Sequence, residues 1–354
     1  MLFSISAVAN LPEESTPKLL ELAPLPEYKE TTKNIVAALN HRHYIRAILD
    51  DDISELIFSS YLSDIDPSKS YLLAEDIKSF SRFRLELDNA LRRGDIEPAF
   101  IIFNLYQEKV ILRLEKIIAL LETGTDQFNF DEDETLELDR KEAAWAASES
   151  ELDDLWRRRI KNDVLNLRLA KKESQSISEL LLKRYKNRLK RTRQIRSEDV
   201  YQLFMNAFTK TYDLHTQYFS PTTSENFNIN MSLSLEGIGA VLEVEDEYTK
   251  VVSLVPAGPA DKAKQLQPND FITSVGQGLE GEMVNVIGWR LDDVVQLIRG
   301  KKDTIVRLEI LSSNAADSSL GRIIQITRNK VNLEEQSAQS EIIEIEEAGK
   351  TKRI

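Results

Sequence analysis

An α+β chain is predicted, with a long all-α region over 17–225 followed by a compact β-rich domain over 230–330. Two observations carry that division. Residues 16–210 hold only two glycines, Gly94 and Gly124, and repeat apolar residues at helical spacing, as in Ile101, Ile102, Leu105 and in Val110, Ile111, Leu114, Ile117, Ile118, Leu121. From Ser234 onward the pattern changes to short alternating apolar runs separated by Gly, Pro and Asn-Asp clusters. Composition narrows the chemistry. With 354 residues there is room for two or three domains that each bury a core. The absence of cysteine removes disulfides, thiolate nucleophiles and cysteine-based zinc sites, and a net charge of -13 argues against general nucleic-acid binding.

The elements follow in order. Leu2 to Ala9 is a short apolar run that ends in an Ala-x-Ala pattern before Asn10, the form of the tail of a secretory signal, so residues 1–16 read as a signal remnant and linker. No other stretch approaches the ~20 apolar residues that cross a bilayer, so no transmembrane segment is expected. His41 and His43 fall on opposite sides of a helix turn, which disfavours a metal site; with His215 they are the only imidazoles, and neither metal nor cofactor is expected. Asp131-Glu132-Asp133-Glu134 forms an acidic loop, and Arg157 to Arg196 is a basic helical stretch with few carboxylates. It reads as a solvated helix face paired with acidic segments of the same chain, more readily than as a surface for an acidic partner, a membrane or a nucleic acid. Trp156, just before it, is expected to pack inward.

The β-rich domain opens on Ser234-Leu235-Glu236-Gly237-Ile238-Gly239-Ala240-Val241-Leu242. Without Cβ atoms, Gly237 and Gly239 let the backbone turn several N–H groups toward one point, where a carboxylate fits. A strand from Ile238 to Val244 follows, whose free edge could accept an added peptide strand. A lone Gly-x-Gly before a strand is most often a plain turn. Its weight comes from the series behind it: a strand at Lys250 to Val255, Pro256-Ala257-Gly258-Pro259 leading into a short helix, a Pro268-Asn269-Asp270 turn, a helix at Leu291 to Ile298, and strands at Thr304 to Leu311 and Arg322 to Arg328. The carboxylate donors are assigned to Gly237, Ile238, Gly239 and Ala240, and an apolar pocket to Ile238, Leu291, Val295 and Ile298. The helix is apolar on two faces, so which residues reach the pocket stays open.

This order of motifs resembles a PDZ domain. Upstream, Tyr212-Asp213-Leu214-His215-Thr216-Gln217-Tyr218-Phe219-Ser220-Pro221 is similar to the approach to the PDZ domain of tail-specific proteases, the C-terminal processing peptidases. Tyr61-Leu62-Ser63-Asp64-Ile65-Asp66-Pro67, with Tyr71, Leu72, Leu73, Asp76, Ile77 and Phe80, resembles the opening motif of that family's helical N-terminal domain. The likeness covers nearly the whole chain and is nearest to the long periplasmic branch of Gram-negative bacteria, with Val286-Ile287-Gly288-Trp289-Arg290-Leu291-Asp292-Asp293 its most specific stretch. It implies export to the periplasm, with membrane association left open, C-terminal tails of protein substrates as partners, and an adaptor protein on the helical domain.

The family is one of serine endopeptidases with a Ser/Lys dyad. Its serine lies in a Ser-Ala-Ser-Ala-Ser-Glu-like run and its lysine in a Gly-Lys-Gly-like run, and this chain has neither, so no catalytic residue is carried over. Residues 331–354 resemble a linker and the first residues of a protease core that is missing here, and are expected to be mobile or extended without their packing partner. The expected function is therefore the substrate-recognition part of such an enzyme, from a fragment or split reading frame. The alternative is a naturally shortened, non-enzymatic PDZ scaffold or adaptor.

Overall fold

Pro26 in the first turn, with Glu27 beside it, starts α1 (Pro26–Arg42), because proline needs no N–H partner there and an acid suits the helix N-terminus. The structure, a computed structural model, describes residues 21–312, 321–333, 344–347 and 350–353. It divides into two compact units that meet between Tyr218 and Phe219. In the first unit, α2 (Asp51–Ile65) is capped by Asp50, whose Oδ1 accepts the Ile53 N–H at 3.2 Å. Then come α3 (Ala74–Phe80), α4 (Leu87–Arg93), α5 (Glu97–Glu122), α6 (Glu149–Leu169), α7 (Ser174–Arg193) and α8 (Ser197–Thr209).

The long helix α5 is the spine of two cores. Its first half buries Phe100, Ile102 and Phe103 with Ile57 and Tyr61 of α2 and with Tyr201, Phe204 and Phe208 of α8. Its second half buries Val110, Leu114, Ile117 and Leu121 against Trp156, Ile160 and Val164 of α6 and Ile177 and Leu181 of α7. Asp66 ties the segment after α2 together. Its buried carboxylate accepts the N–H groups of Ser70 (2.9 Å), Tyr71 (2.9 Å) and Leu72 (3.1 Å). Trp156 does point inward, and its indole N–H donates to Ser70 O at 2.7 Å.

Carboxylates of the same chain hold much of the basic stretch. Glu134 of the acidic loop accepts from Arg157 and Lys161, and Asp154 from Arg157 and Arg158. Lys186 pairs with Glu122 at 3.0 Å and Arg193 with Glu115 at 2.6 Å. The hydrogen bonds from Arg157 and then Lys161 lower the Glu134 carboxyl from an ordinary 4.5 to about 2. A carboxyl held below its unfolded value contributes stability that is present above about pH 4.5 and is lost as the pH falls toward about 2. The acidic loop is therefore expected to loosen from α6 across that window. Hydrogen exchange of residues 131–135 should show it in the wild type and not in Glu134→Gln.

The second unit begins with α9 (Pro221–Ser232), capped by Ser220, whose Oγ accepts the Thr223 N–H. There follow β1 (Ser234–Gly237), β2 (Ala240–Glu245), β3 (Tyr248–Leu254), α10 (Pro259–Ala263), β4 (Phe271–Gln277), β5 (Met283–Asn285), α11 (Leu291–Ile298), β6 (Ile305–Leu311), β7 (Arg322–Thr327), β8 (Asn329–Asn332), β9 (Glu344–Glu347) and β10 (Lys350–Arg353). An antiparallel sheet runs in the order β2-β3-β4-β6-β7, with β5 on β4. Val306, Leu308 and Ile310 alternate inward from β6 and meet Val251, Ile272, Val275, Val294 and Ile298 in the core. Asn269 takes a positive φ of 70°, as its turn requires.

Two short pairings lie outside the main sheet. Strand β1 pairs antiparallel with β8, from Ser234 opposite Asn332 to Gly237 opposite Asn329. Val331 and Asn332, which the sequence places at the start of a linker, are thus the end of β8, and Val331 is buried because it packs under the loop at Gly239. Strands β9 and β10 form a hairpin. The signal-like run at Leu2 to Ala9 lies outside the described residues.

Candidate functional site

Trans peptide geometry sets the direction of the loop's donors, since C=O and the next N–H point opposite ways across each peptide plane and no peptide bond here is cis. Ile238 O accepts the Ala260 N–H at 2.8 Å, which turns the Gly239 N–H away from α10. Gly239 O accepts the Val255 N–H at 2.9 Å, which turns the Ala240 N–H away from β3. That second direction is the outer edge of β2, which among the described strands has β3 as its one neighbour. The Ala240 N–H thus faces the open edge of β2, and the adjacent Gly239 N–H faces away from α10.

Gly239 makes this possible. Its φ of +73° is left-handed, and a Cβ there would lie 3.3 Å from both methyls of Val331 and 3.5 Å from Gly258 Cα. The loop is folded onto β8 and the start of α10, so a side chain there would press on Val331.

Helix α11 packs beside β2 and over β4. Its two apolar faces divide the work the sequence left open. Val294 and Ile298, one turn apart, are buried at 0% and 3% exposure and join the core with Ile238. Leu291 and Val295, the other turn-spaced pair, are half-buried and lie outside that core cluster, as apolar side chains on a groove wall would. Of the four residues assigned to the pocket, Leu291 and Val295 keep accessible surface, while Ile238 and Ile298 are committed to the interior beneath. The choice depends on where the sheet lies, which helical periodicity alone does not state.

A residue that the sequence presents merely as the end of a strand anchors this helix. Arg328 is 3% exposed, and its guanidinium donates to Ile298 O (2.7 Å) and Leu297 O (3.0 Å) at the C-terminus of α11. It also donates to Gln277 Oε1 (2.7 Å), Thr304 Oγ1 (3.0 Å) and Ile305 O (3.3 Å). Carbonyl dipoles stand where a carboxylate would be expected, and burial pushes the guanidinium pKa down. Beside it, Arg299 donates to Asn226 Oδ1 of α9 at 2.8 Å.

His43 and His215 are engaged separately. His43 Nε2 lies 3.0 Å from Thr216 Oγ1, and His215 Nδ1 lies 3.0 Å from Asp213. Among the described residues no group of three His, Asp or Glu side chains is placed to hold a metal ion, and no helix is long and apolar enough to cross a membrane.

Residues 35–222 match the family described as the tail specific protease N-terminal domain, and residues 226–311 match the PDZ domain. The tail-specific protease of Haemophilus influenzae is 37% identical over 337 residues, 95% of this chain and 47% of that protein. The carboxy-terminal processing protease CtpA of Bacillus subtilis is 37% identical over 99 residues, 28% of this chain and 20% of that protein. The chain thus spans about half the length of the first of these curated relatives and less of the second. A solved structure, the PDZ domain of a carboxy-terminal protease from Vibrio cholerae in complex with peptide, is 48% identical, covers 28% of this chain and all of that one, and superposes with a TM-score of 0.27.

Proposed function

From the premise that the chain belongs to the tail-specific protease family, we propose that its PDZ domain binds the free C-terminal tails of proteins, as the substrate-recognition part of a C-terminal processing serine endopeptidase. One observation carries the reading. The Ala240 N–H stands at the head of the open edge of β2, with the Gly239 N–H next to it turned away from α10, and α11 with the half-buried Leu291 and Val295 packs beside β2. Such an edge takes up an extended peptide by main-chain pairing, its terminal carboxylate meets the loop donors, and its last side chain enters the apolar wall. Apolar discrimination of about 1 to 3 kcal/mol per methylene favours small apolar tails without naming one substrate. Binding without cutting is part of the proposal, since the chain carries no run of the Ser-Ala-Ser or Gly-Lys-Gly kind. A periplasmic location fits the signal-like residues before Asn10.

The test is a fluorescent peptide ending in alanine and valine, offered as the free acid and as the C-terminal amide, with a gel to follow its integrity. Binding of the acid at least about tenfold tighter than the amide, with the peptide left whole, is the expected outcome. Equal binding of both forms would refute carboxylate capture.

A further inference from the structure

Much of the basic stretch on α6 and α7 is matched by carboxylates of the same chain, with Arg157, Arg158 and Lys161 on Glu134 or Asp154, and Lys186 and Arg193 on Glu122 and Glu115. Two arginines of the helical unit are held differently. Arg159 sets its Cζ 5.1 Å from the ring centre of Trp156, and Arg188 sets its Cζ 5.5 Å from that of Tyr71. Among the described residues these rings are the partners of the two guanidiniums, and neither cation pairs with a carboxylate. The rings stand 5.3 Å apart, so α6 and α7 bring both cations to one aromatic pair. A ring face attracts a guanidinium and leaves most of its in-plane donors for another acceptor. Negative charge is short here. Asp66 is the acid whose charge reaches both Arg159 and Tyr71, and its carboxylate is already spent on the N–H groups of Ser70, Tyr71 and Leu72. Burial chiefly, and the like charge of Arg140, push the Arg159 guanidinium down. The Tyr71 side chain is 4% exposed, and its hydroxyl has no hydrogen-bond partner among the described residues. Burial holds that phenol up at about 12, against the pull of Arg188 and Arg159, so at neutral pH it keeps a proton to donate.

We propose that Arg159 of α6 and Arg188 of α7, with the Tyr71 hydroxyl, form a binding site for a phosphate group. Two guanidiniums match a dianion in charge, and three donor groups match its three terminal oxygens, where a carboxylate offers two. A phosphate oxygen also supplies the acceptor that the buried phenol lacks. This chemistry is shared by a free phosphate compound and by a phosphomonoester lipid headgroup.

The experiment titrates the full chain with inorganic phosphate and, separately, with acetate, by calorimetry at constant ionic strength and a mildly alkaline pH that keeps phosphate a dianion. A second arm sediments the chain with phosphatidylcholine vesicles that contain phosphatidic acid, and a thermal melt follows each variant's fold. Phosphate is expected to bind with a Kd of about 1 mM or tighter, and at least about tenfold more tightly than acetate. Arg159→Gln and Arg188→Gln should each weaken it about tenfold or more. Arg193→Gln, which removes a cation of α7 that already pairs with Glu115, should leave it unchanged. Tyr71→Phe should weaken phosphate about fivefold with the melt unchanged or raised, because the free chain loses a donor that has no partner. Retention on the phosphatidic acid vesicles that is lost in Arg188→Gln assigns the phosphate to a lipid headgroup, and phosphate binding without retention assigns it to a free compound; either supports the site. Acetate as tight as phosphate, or equal losses in Arg193→Gln and Arg188→Gln, means a diffuse basic surface and overturns it. Neither probe binding to the folded wild type does the same. Should Arg159→Gln fail to fold, unchanged phosphate binding by Arg188→Gln, at an exposed position, overturns the proposal in its place.

Discussion

Gly239→Val is expected to abolish tail binding while the domain stays folded. Valine at a φ of +73° is a strained β-branched residue, at about 1 to 2 kcal/mol for the backbone alone. Its Cβ would also press on the Val331 methyls at 3.3 Å. The strain is relieved by rotating the peptide plane between residues 239 and 240. That plane carries the Ala240 donor and, through Gly239 O, the bond to Val255 that directs it outward. Loss of charge-assisted bonds worth about 1.5 to 3 kcal/mol each predicts binding at least about thirtyfold weaker. The stability loss is set at about 1 to 3 kcal/mol by the strain and the crowding. Fluorescence anisotropy with the acid peptide and a denaturant titration measure the two separately. Affinity that falls only as far as the folded fraction falls would make the loop a structural turn.

Arg328→Met is expected to damage the second unit most among single substitutions. Methionine fills the volume and removes every donor, leaving Ile298 O, Leu297 O, Ile305 O and Gln277 Oε1 to find new partners around a residue 3% exposed. Unsatisfied buried acceptors at about 1 to 3 kcal/mol each predict a loss of about 3 kcal/mol or more, a large share of a small domain's stability. The damage should centre on the C-terminus of α11 and on β6. Hydrogen exchange is expected to accelerate at residues 291–311 and stay unchanged at 97–122, in the helical unit. Lysine is no rescue, because an ammonium cannot present the guanidinium's planar fork to acceptors on three elements. Uniform exchange at both sites, or wild-type protection at 291–311, would contradict the anchoring role.

Residues that follow a period were legible, and residues whose work is set by distant partners were not. Helical spacing in Val110, Leu114, Ile117 and Leu121 marks the second core as it stands, and the helix expected at Leu291 to Ile298 is α11 residue for residue. The strand expected from Ile238 starts instead at Ala240, because the carbonyls of Ile238 and Gly239 are drawn to Ala260 and Val255 before the ladder is regular. Helix α9 was missed, although Ser220-Pro221 is a usable N-cap and first-turn signal. The pairing of β1 with β8 joins segments more than 90 residues apart, and no local pattern states it. Nor could the sequence show that Asp66 spends its carboxylate on three N–H groups, or that Arg328 faces carbonyls, because both facts depend on where the chain has come back to.

The junction of β1 and β8 has a mechanical meaning. The chain arrives at Leu233 and departs at Leu333, and the Leu333 N–H donates to Leu233 O at 2.8 Å. Tension on the backbone either side of residues 233–333 would therefore not stretch the six-stranded sheet. It would open a zipper whose first tooth is that bond and whose last is the pairing of Gly237 with Asn329. Gly237 is where the loop with the outward donors begins, so a pull on the tethers reaches that loop before it strains the core.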